Sequence, residues 1–168
     1  MKTNVVLIGM PGAGKSTNGL LLAKALGKDF VDTDVLIQVR EGKTLQLIMD
    51  NSDYLALRQI EESVLTGIDA QNTVIATGGS AVYSEDGMSH LRANGIIVYL
   101  ETPLETLEQR IHDYETRGIA KHPEQSFDDL FSERSKLYNK YADIVIHCDQ
   151  QPPEEVVQSV LDALKSKA

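Results

Sequence analysis

Gly9-Met10-Pro11-Gly12-Ala13-Gly14-Lys15-Ser16 has the spacing G-x-x-x-x-G-K-[ST]. In that pattern a glycine-rich turn wraps phosphate groups with backbone N–H donors. The lysine reaches the β- and γ-phosphates, and the hydroxyl ligates Mg2+. Its neighbours fit the same reading. Asn4-Val5-Val6-Leu7-Ile8 before it is an apolar, β-branched run of strand length, and Thr17 to Leu26 after it carries the leucines and alanines of a helix with one buried face. The octapeptide therefore sits between a strand and a helix N-terminus, where unpaired N–H groups and the helix dipole draw anions. A glycine-rich turn that merely happened to hold Lys and Ser would need neither neighbour. Gly12, Ala13, Gly14, Lys15, Ser16 and Thr17 are the expected nucleotide-binding residues, with Ser16 on the metal.

Outward from the loop, Asp29-Phe30-Val31-Asp32 reads as a short second strand ending in the acidic pair Asp32 and Asp34. Residues 35–50 are expected to be helical with a break near Gly42, and Leu55 to Leu65 to form a further helix. Thr73-Val74-Ile75-Ala76-Thr77 is a third strand stopped by Gly78-Gly79. Ile96-Ile97-Val98-Tyr99-Leu100 is a fourth, and Ile144-Val145-Ile146 a fifth. Thr102-Pro103-Leu104-Glu105 predicts a capping box with Pro at the first helical position. Ser126-Phe127-Asp128-Asp129 caps another helix, and Val156, Val157, Val160, Leu161 and Leu164 make one face of a closing helix. Residues 113–125, around Gly118 and Pro123, lack periodicity and are expected to form a lid. Apolar strands alternating with helices predict one α/β domain over residues 1–168, a five-stranded parallel sheet with helices on both faces. Ligands of such sheets bind at the carboxyl ends of the strands. The phosphate loop, Asp32/Asp34 and Gly78-Gly79 all fall there.

Composition narrows the class. A net charge of −9 over 168 residues argues against broad nucleic-acid or anionic-membrane binding. No apolar run approaches a membrane span, and the N-terminal run is too short for a signal peptide. Cys148 is the only cysteine, which fits a reducing compartment and a small apolar residue closing a strand. A cytoplasmic monomer is the expectation. His90, His112, His122 and His147 lack metal-ligand spacing and read as surface or loop residues. Glu61-Glu62 and Glu154-Glu155 read as solvated helix faces.

The loop alone suits ATPases, GTPases and kinases alike. Asn139-Lys140-Tyr141-Ala142-Asp143 misses the guanine-reading Asn-Lys-x-Asp spacing by one residue. The third strand ends in Thr77-Gly78-Gly79 without an acid, whereas the second supplies Asp32 and Asp34. Small size, an early acidic pair and a lid stretch suit a small-molecule kinase.

From about residue 4 to 165 the chain resembles the shikimate kinase family, a branch of the nucleoside-monophosphate-kinase-like fold. The likeness is carried by the phosphate loop, Asp32-Thr33-Asp34, Leu57-Arg58-Gln59-Ile60-Glu61 on a helix, Gly78-Gly79-Ser80 after the third strand, and Arg134-Ser135-Lys136-Leu137-Tyr138. The resemblance implies Mg·ATP as phosphoryl donor and shikimate as acceptor, phosphorylated at its 3-hydroxyl in aromatic amino acid (chorismate) biosynthesis. It implies that Asp32 reaches the metal through water, that Asp34 grips acceptor hydroxyls, and that Arg58 and Arg134 hold the carboxylate with Gly79 alongside. Arg117 becomes the lid arginine, and Arg110 and Gln151 lie near adenine. Lys15, Asp34 and Arg117 are then the catalytic set. The physical demands agree: a carboxylate wants guanidinium forks, and an attacking hydroxyl wants a carboxylate to orient it. The chain departs from the family pattern at Ser80, at Arg117-Gly118-Ile119-Ala120, at Tyr54 and at Gln151. The residues alone leave open a kinase of the same fold acting on gluconate or a nucleotide, and an ATP-binding module without phosphotransfer.

Overall fold

Short apolar strands separated by helices fold as alternation demands. The computed structural model describes residues 1–111 and 118–168. In chain order it contains β1 (Asn4–Ile8), α1 (Lys15–Leu26), β2 (Asp29–Asp32), α2 (Thr33–Glu41), α3 (Leu45–Asn51), α4 (Tyr54–Thr66), β3 (Thr73–Ala76), a 3-10 turn (Ala81–Tyr83), α5 (Glu85–Asn94), β4 (Gly95–Glu101), α6 (Leu104–Arg110), α7 (Phe127–Tyr141), β5 (Ile144–His147) and α8 (Pro153–Lys167). The strands form one sheet in the order β2-β3-β1-β4-β5, and every neighbouring pair is parallel. β1 is central, with Val5 opposite Val74 on one side and Ile96 on the other.

Burial follows position in the sheet. Every residue of β1 and β3 is buried, as expected of strands covered on both faces. At the edge, β5 alternates: Ile144 and Ile146 are buried while Val145 and His147 are exposed. The main core joins these strands to Leu22 and Ala23 of α1, Leu130 and Tyr138 of α7, and Val156, Val157 and Val160 of α8. A second, smaller cluster of Ile37, Ile48, Leu57, Val64 and Ala120 ties α2, α3 and α4 to the segment around Ala120. The chain leaves β1 toward β2 and β3 on one side and β4 and β5 on the other, so the crevice at the carboxyl end of β1 is the topological switch point. The phosphate loop occupies it.

Local chemistry sets the helix starts, with one correction. Asp32, Thr44, Asp53, Ser84 and Ser126 each accept a backbone N–H at a helix N-terminus. The capping box anticipated at Thr102 does not form. Pro103 is extended (φ −58°, ψ 146°) and takes the N-cap position, so α6 starts one residue later. Thr102 is instead a buried residue of the strand-to-helix connection, its Oγ1 without a partner among the described residues. The 3-10 turn and α5 were not anticipated, although Ser84 followed by Glu85 and Asp86 is a helix-start signal. Of the lid residues, 113–117 lie outside the described residues, while Gly118 to Gln125 have neither helix nor strand.

Candidate active site

The phosphate loop is built by its own backbone. Gly14 caps α1 in the left-handed conformation (φ 88°, ψ 21°), the Asn18 N–H donates to the Gly14 carbonyl at 2.8 Å, and the Ala13 N–H to the Met10 carbonyl at 3.1 Å. Lys15 is 8% exposed, and its Nζ donates to the carbonyls of Gly9 at 2.7 Å and Met10 at 2.8 Å. The ammonium is thus drawn across the loop it belongs to.

Asp32 divides its two oxygens between two elements. Oδ1 accepts the Asp34 N–H at 3.0 Å and so caps α2, while Oδ2 accepts the Ser16 hydroxyl at 2.6 Å. The ends of β1 and β2 are joined at this point. Thr33 ties in the third: its Oγ1 accepts the Gly78 N–H at 3.1 Å. The three strand ends expected to converge do so. Ser16 and Asp32 offer hydroxyl and carboxylate oxygens, the hard donors that suit Mg2+. Among the described residues no three His, Cys, Asp or Glu side chains group to hold a metal ion. Mg2+ commonly needs only one or two protein ligands beside substrate phosphates.

Beyond the loop, a cavity of about 270 Å3 is lined by Asp34, Glu61, Gly78, Gly79, Ser80, Ala120 and Arg134. A Cβ on Gly78 would lie 2.5 Å from Asp34 Oδ1 and 2.7 Å from Glu61 Oε2. Only a glycine leaves room there for two carboxyl groups. Glu61 corrects the sequence reading: it is 3% exposed, not a solvated face, and it accepts the Ser80 hydroxyl. Burial pushes its carboxyl up to about 7, the neighbouring Asp34 adds to the rise, and the Ser80 hydrogen bond and the charges of Arg134 and Arg58 oppose it. The signal was present in the spacing, because Leu57, Glu61, Val64 and Leu65 form the buried stripe of α4. Glu62, half-buried, accepts the Ser84 hydroxyl.

The two arginines meet at one carbonyl. Arg134, 1% exposed, donates through Nη2 to the Ala120 carbonyl at 2.9 Å, and the half-buried Arg58 does so at 3.4 Å. Gly79 lies against Arg134, since a Cβ there would fall 2.7 Å from Nη1, and its carbonyl accepts the Tyr138 hydroxyl at 2.6 Å. Gly118 (φ 69°) is seated on α3: its N–H donates to Gln46 Oε1 at 2.8 Å, and a Cβ on it would lie 2.5 Å from that of Leu45. Arg117 lies outside the described residues.

On the other side of the loop, a cavity of about 250 Å3 touches Gly12, Thr17, Arg110 and Gln151. The exposed Arg110 bridges the two walls, donating to the Gly12 carbonyl at 3.1 Å and the Asp149 carbonyl at 2.7 Å. Gln151 Oε1 accepts the Asp149 N–H at 2.5 Å. Cys148 is buried beside this cavity, as anticipated, and burial pushes its thiol up to about 11. His90, His122 and His147 are exposed; His112 lies outside the described residues.

The comparisons with known proteins agree with one another. A family model described as shikimate kinase matches residues 11–165. The chain is 39% identical over 165 residues to the shikimate kinase of Pseudomonas aeruginosa, covering 96% of each chain. It is 36% identical over 167 residues to that of Haemophilus influenzae, covering 97% of this chain and 93% of the other. Among solved structures, shikimate kinase from Acinetobacter baumannii in complex with shikimate gives a TM-score of 0.89 at 33% identity, covering 99% of this chain and 95% of that one.

Proposed function

The chain belongs to the shikimate kinase family, and from that premise we propose how its residues transfer the γ-phosphate of ATP to the 3-hydroxyl of shikimate, a step of aromatic amino acid (chorismate) biosynthesis. One observation carries the reading. A single cleft beside a phosphate-binding loop holds two carboxyl groups around Gly78 and the Arg134 guanidinium, and Arg58 joins Arg134 at the Ala120 carbonyl on the cleft wall. An acceptor with several hydroxyls and one carboxylate is what such a cleft complements.

In this reading Gly12 to Thr17 cradle the ATP phosphates, and Arg110 and Gln151 flank the adenine. Arg58 and Arg134 take the acceptor carboxylate, with Gly79 against the ring. Asp34 orients the reacting hydroxyl and accepts its proton as the new P–O bond forms. Phosphoryl transfer spreads negative charge over the equatorial oxygens, and Lys15, with Arg117 brought in by residues 113–125 acting as a lid, stabilises it. Ser16 would ligate Mg2+ and Asp32 would hold its coordinated water; bound there, the ion neutralises phosphate charge. We read the chain as a cytoplasmic monomer without nucleic-acid or membrane partners. The net charge of −9 supports that, and no described helix is long and apolar enough to cross a membrane.

The test is ADP release, in a coupled assay, across a panel of shikimate, gluconate and nucleoside monophosphates. Release that depends on shikimate and is fastest with it is expected. ADP release without any acceptor dependence, or faster with another acceptor, overturns the reading.

A further inference from the structure

We infer that Tyr83 is a positioning residue for the acceptor's carboxylate: the face of its ring holds the guanidinium groups of Arg58 and Arg134 together while leaving N–H donors on their edges for an anion. The inference rests on the shikimate reading of the cleft. It starts from an electrostatic problem. Arg134 is almost fully buried and Arg58 half so, and each charge disfavours the other. Burial pulls the Arg58 guanidinium below its ordinary range, and the neighbouring Arg134 adds to that fall. Among the described residues neither arginine is in an ion pair with a carboxylate, and the Nε of each is buried without a hydrogen-bond partner. A protein carboxylate would relieve the charge, but it would also take up the fork that the substrate needs.

An aromatic face relieves it without that cost. The Arg58 guanidinium carbon lies 3.6 Å from the centroid of the Tyr83 ring, and that of Arg134 lies 5.4 Å from it. Both are within cation–π range, and the first is at stacking distance. Tyr54 adds a weaker contact to Arg58, at 5.0 Å. A guanidinium stacked by its face keeps its donors in its own plane.

The platform is itself fixed. Tyr83 closes the 3-10 turn that follows Gly78-Gly79-Ser80, its N–H donating to the Ser80 carbonyl at 3.1 Å. Its hydroxyl donates to Glu133 Oε1 at 2.5 Å, and Glu133 Oε2 accepts the Gln125 amide at 3.2 Å. Burial raises the pKa of the Tyr83 hydroxyl and the Glu133 bond adds to the rise, outweighing the charge and hydrogen bond of Arg134, so the phenol stays a neutral donor to Glu133. The ring therefore joins the turn after β3, α4 and α7 at the place where the carboxylate would be received.

The experiment compares wild type, Tyr83→Leu and Tyr83→Phe, with shikimate and with the analogue whose carboxylate is replaced by hydroxymethyl. Tyr83→Leu is expected to raise the shikimate KM about tenfold, with kcat changed less than about threefold. It should leave the ATP KM unchanged, and it should cut the preference for shikimate over the uncharged analogue by about the same factor. Tyr83→Phe, which keeps the face, should stay within about threefold of wild type. If Tyr83→Leu melts out, Tyr83→Met at similar volume replaces it. An unchanged shikimate KM, or an equal loss on both acceptors, overturns the inference; so does Tyr83→Phe failing as badly as Tyr83→Leu. Wild type that does not phosphorylate shikimate overturns the functional reading itself, and the inference with it.

Discussion

In the proposed mechanism Asp34, which lines the cleft, and Arg58, which reaches the Ala120 carbonyl on its wall, do different work, so their variants should fail differently. Arg58→Ala removes a charge-assisted contact present in both ground and transition states. It should raise the acceptor KM by about one to two orders of magnitude with little change in kcat. Asp34→Asn keeps the shape but not the proton acceptor, and should lower kcat by about 10²–10⁴. Neither should move the ATP KM; a common loss in both parameters for both variants would contradict the division. Glu61 makes a separate prediction. Its carboxyl is raised to about 7 against an ordinary 4.5, so the native state keeps a proton that the unfolded chain has released. The stability this contributes is complete below about pH 4.5 and is lost as the pH rises through about 7, at most about 3 kcal/mol. Glu61→Gln has no proton to lose. Its melting temperature relative to wild type should therefore climb by several degrees between pH 5 and pH 8.5 in calorimetry, and a flat difference would contradict the buried-acid account. At this scale the phosphate loop and the Asp32/Asp34 pair were legible because motif and strand end coincide. Glu61 was not, because an acid beside another acid reads as surface until the α4 stripe is counted. Tyr83 carried no local signal at all, since its work depends on two arginines 25 and 51 residues away in sequence.

Among the elements, the segment from Gly118 to Ala120, within the proposed lid, packs on α3 and reaches the acceptor side of the cleft. Gly118 has φ 69°, a conformation that costs an alanine roughly 1–2 kcal/mol, and an added Cβ would fall within 2.6 Å of Leu45 and Gln46. Gly118→Ala should lift this segment off α3 and move the Ala120 carbonyl that Arg58 and Arg134 share. Steady-state kinetics should show a higher shikimate KM and a lower kcat, because Arg117 is the preceding residue, while ATP affinity holds. Unchanged kinetics would mean that the segment does not couple the lid to the cleft. The sequence showed most elements because their apolar period and end signals agree, as at Ser126, whose hydroxyl caps α7 as expected. It showed α6 one residue early, because Pro103 was read as helical although an extended ψ is equally open to proline. The helix α5 was passed over because its cap was legible but Gly87, buried against Leu65 and Ser84, breaks a helical pattern read without its neighbours.

For the whole molecule, a parallel sheet with its switch point at β1 places the phosphate loop, Asp32 and Gly78 together at the carboxyl ends of its strands. Alternation and buried strand composition made the class legible. The strand order was not, because pairing of β1 with both β3 and β4 is a choice among distant partners. Bound ATP should stabilise the fold by about 3 kcal/mol at a hundred times its Kd, and Lys15→Ala should lose both that stabilisation and turnover. Wild-type turnover in Lys15→Ala would remove the loop from the mechanism. The most direct test of the central claim is phosphorus NMR of the purified protein with Mg·ATP and shikimate. The account predicts a new monoester resonance coupled to the ring proton at carbon 3, appearing with ADP in equal amount and disappearing when shikimate is left out. No ester, an ester at another ring hydroxyl, or faster ester formation on gluconate in the same mixture would contradict it.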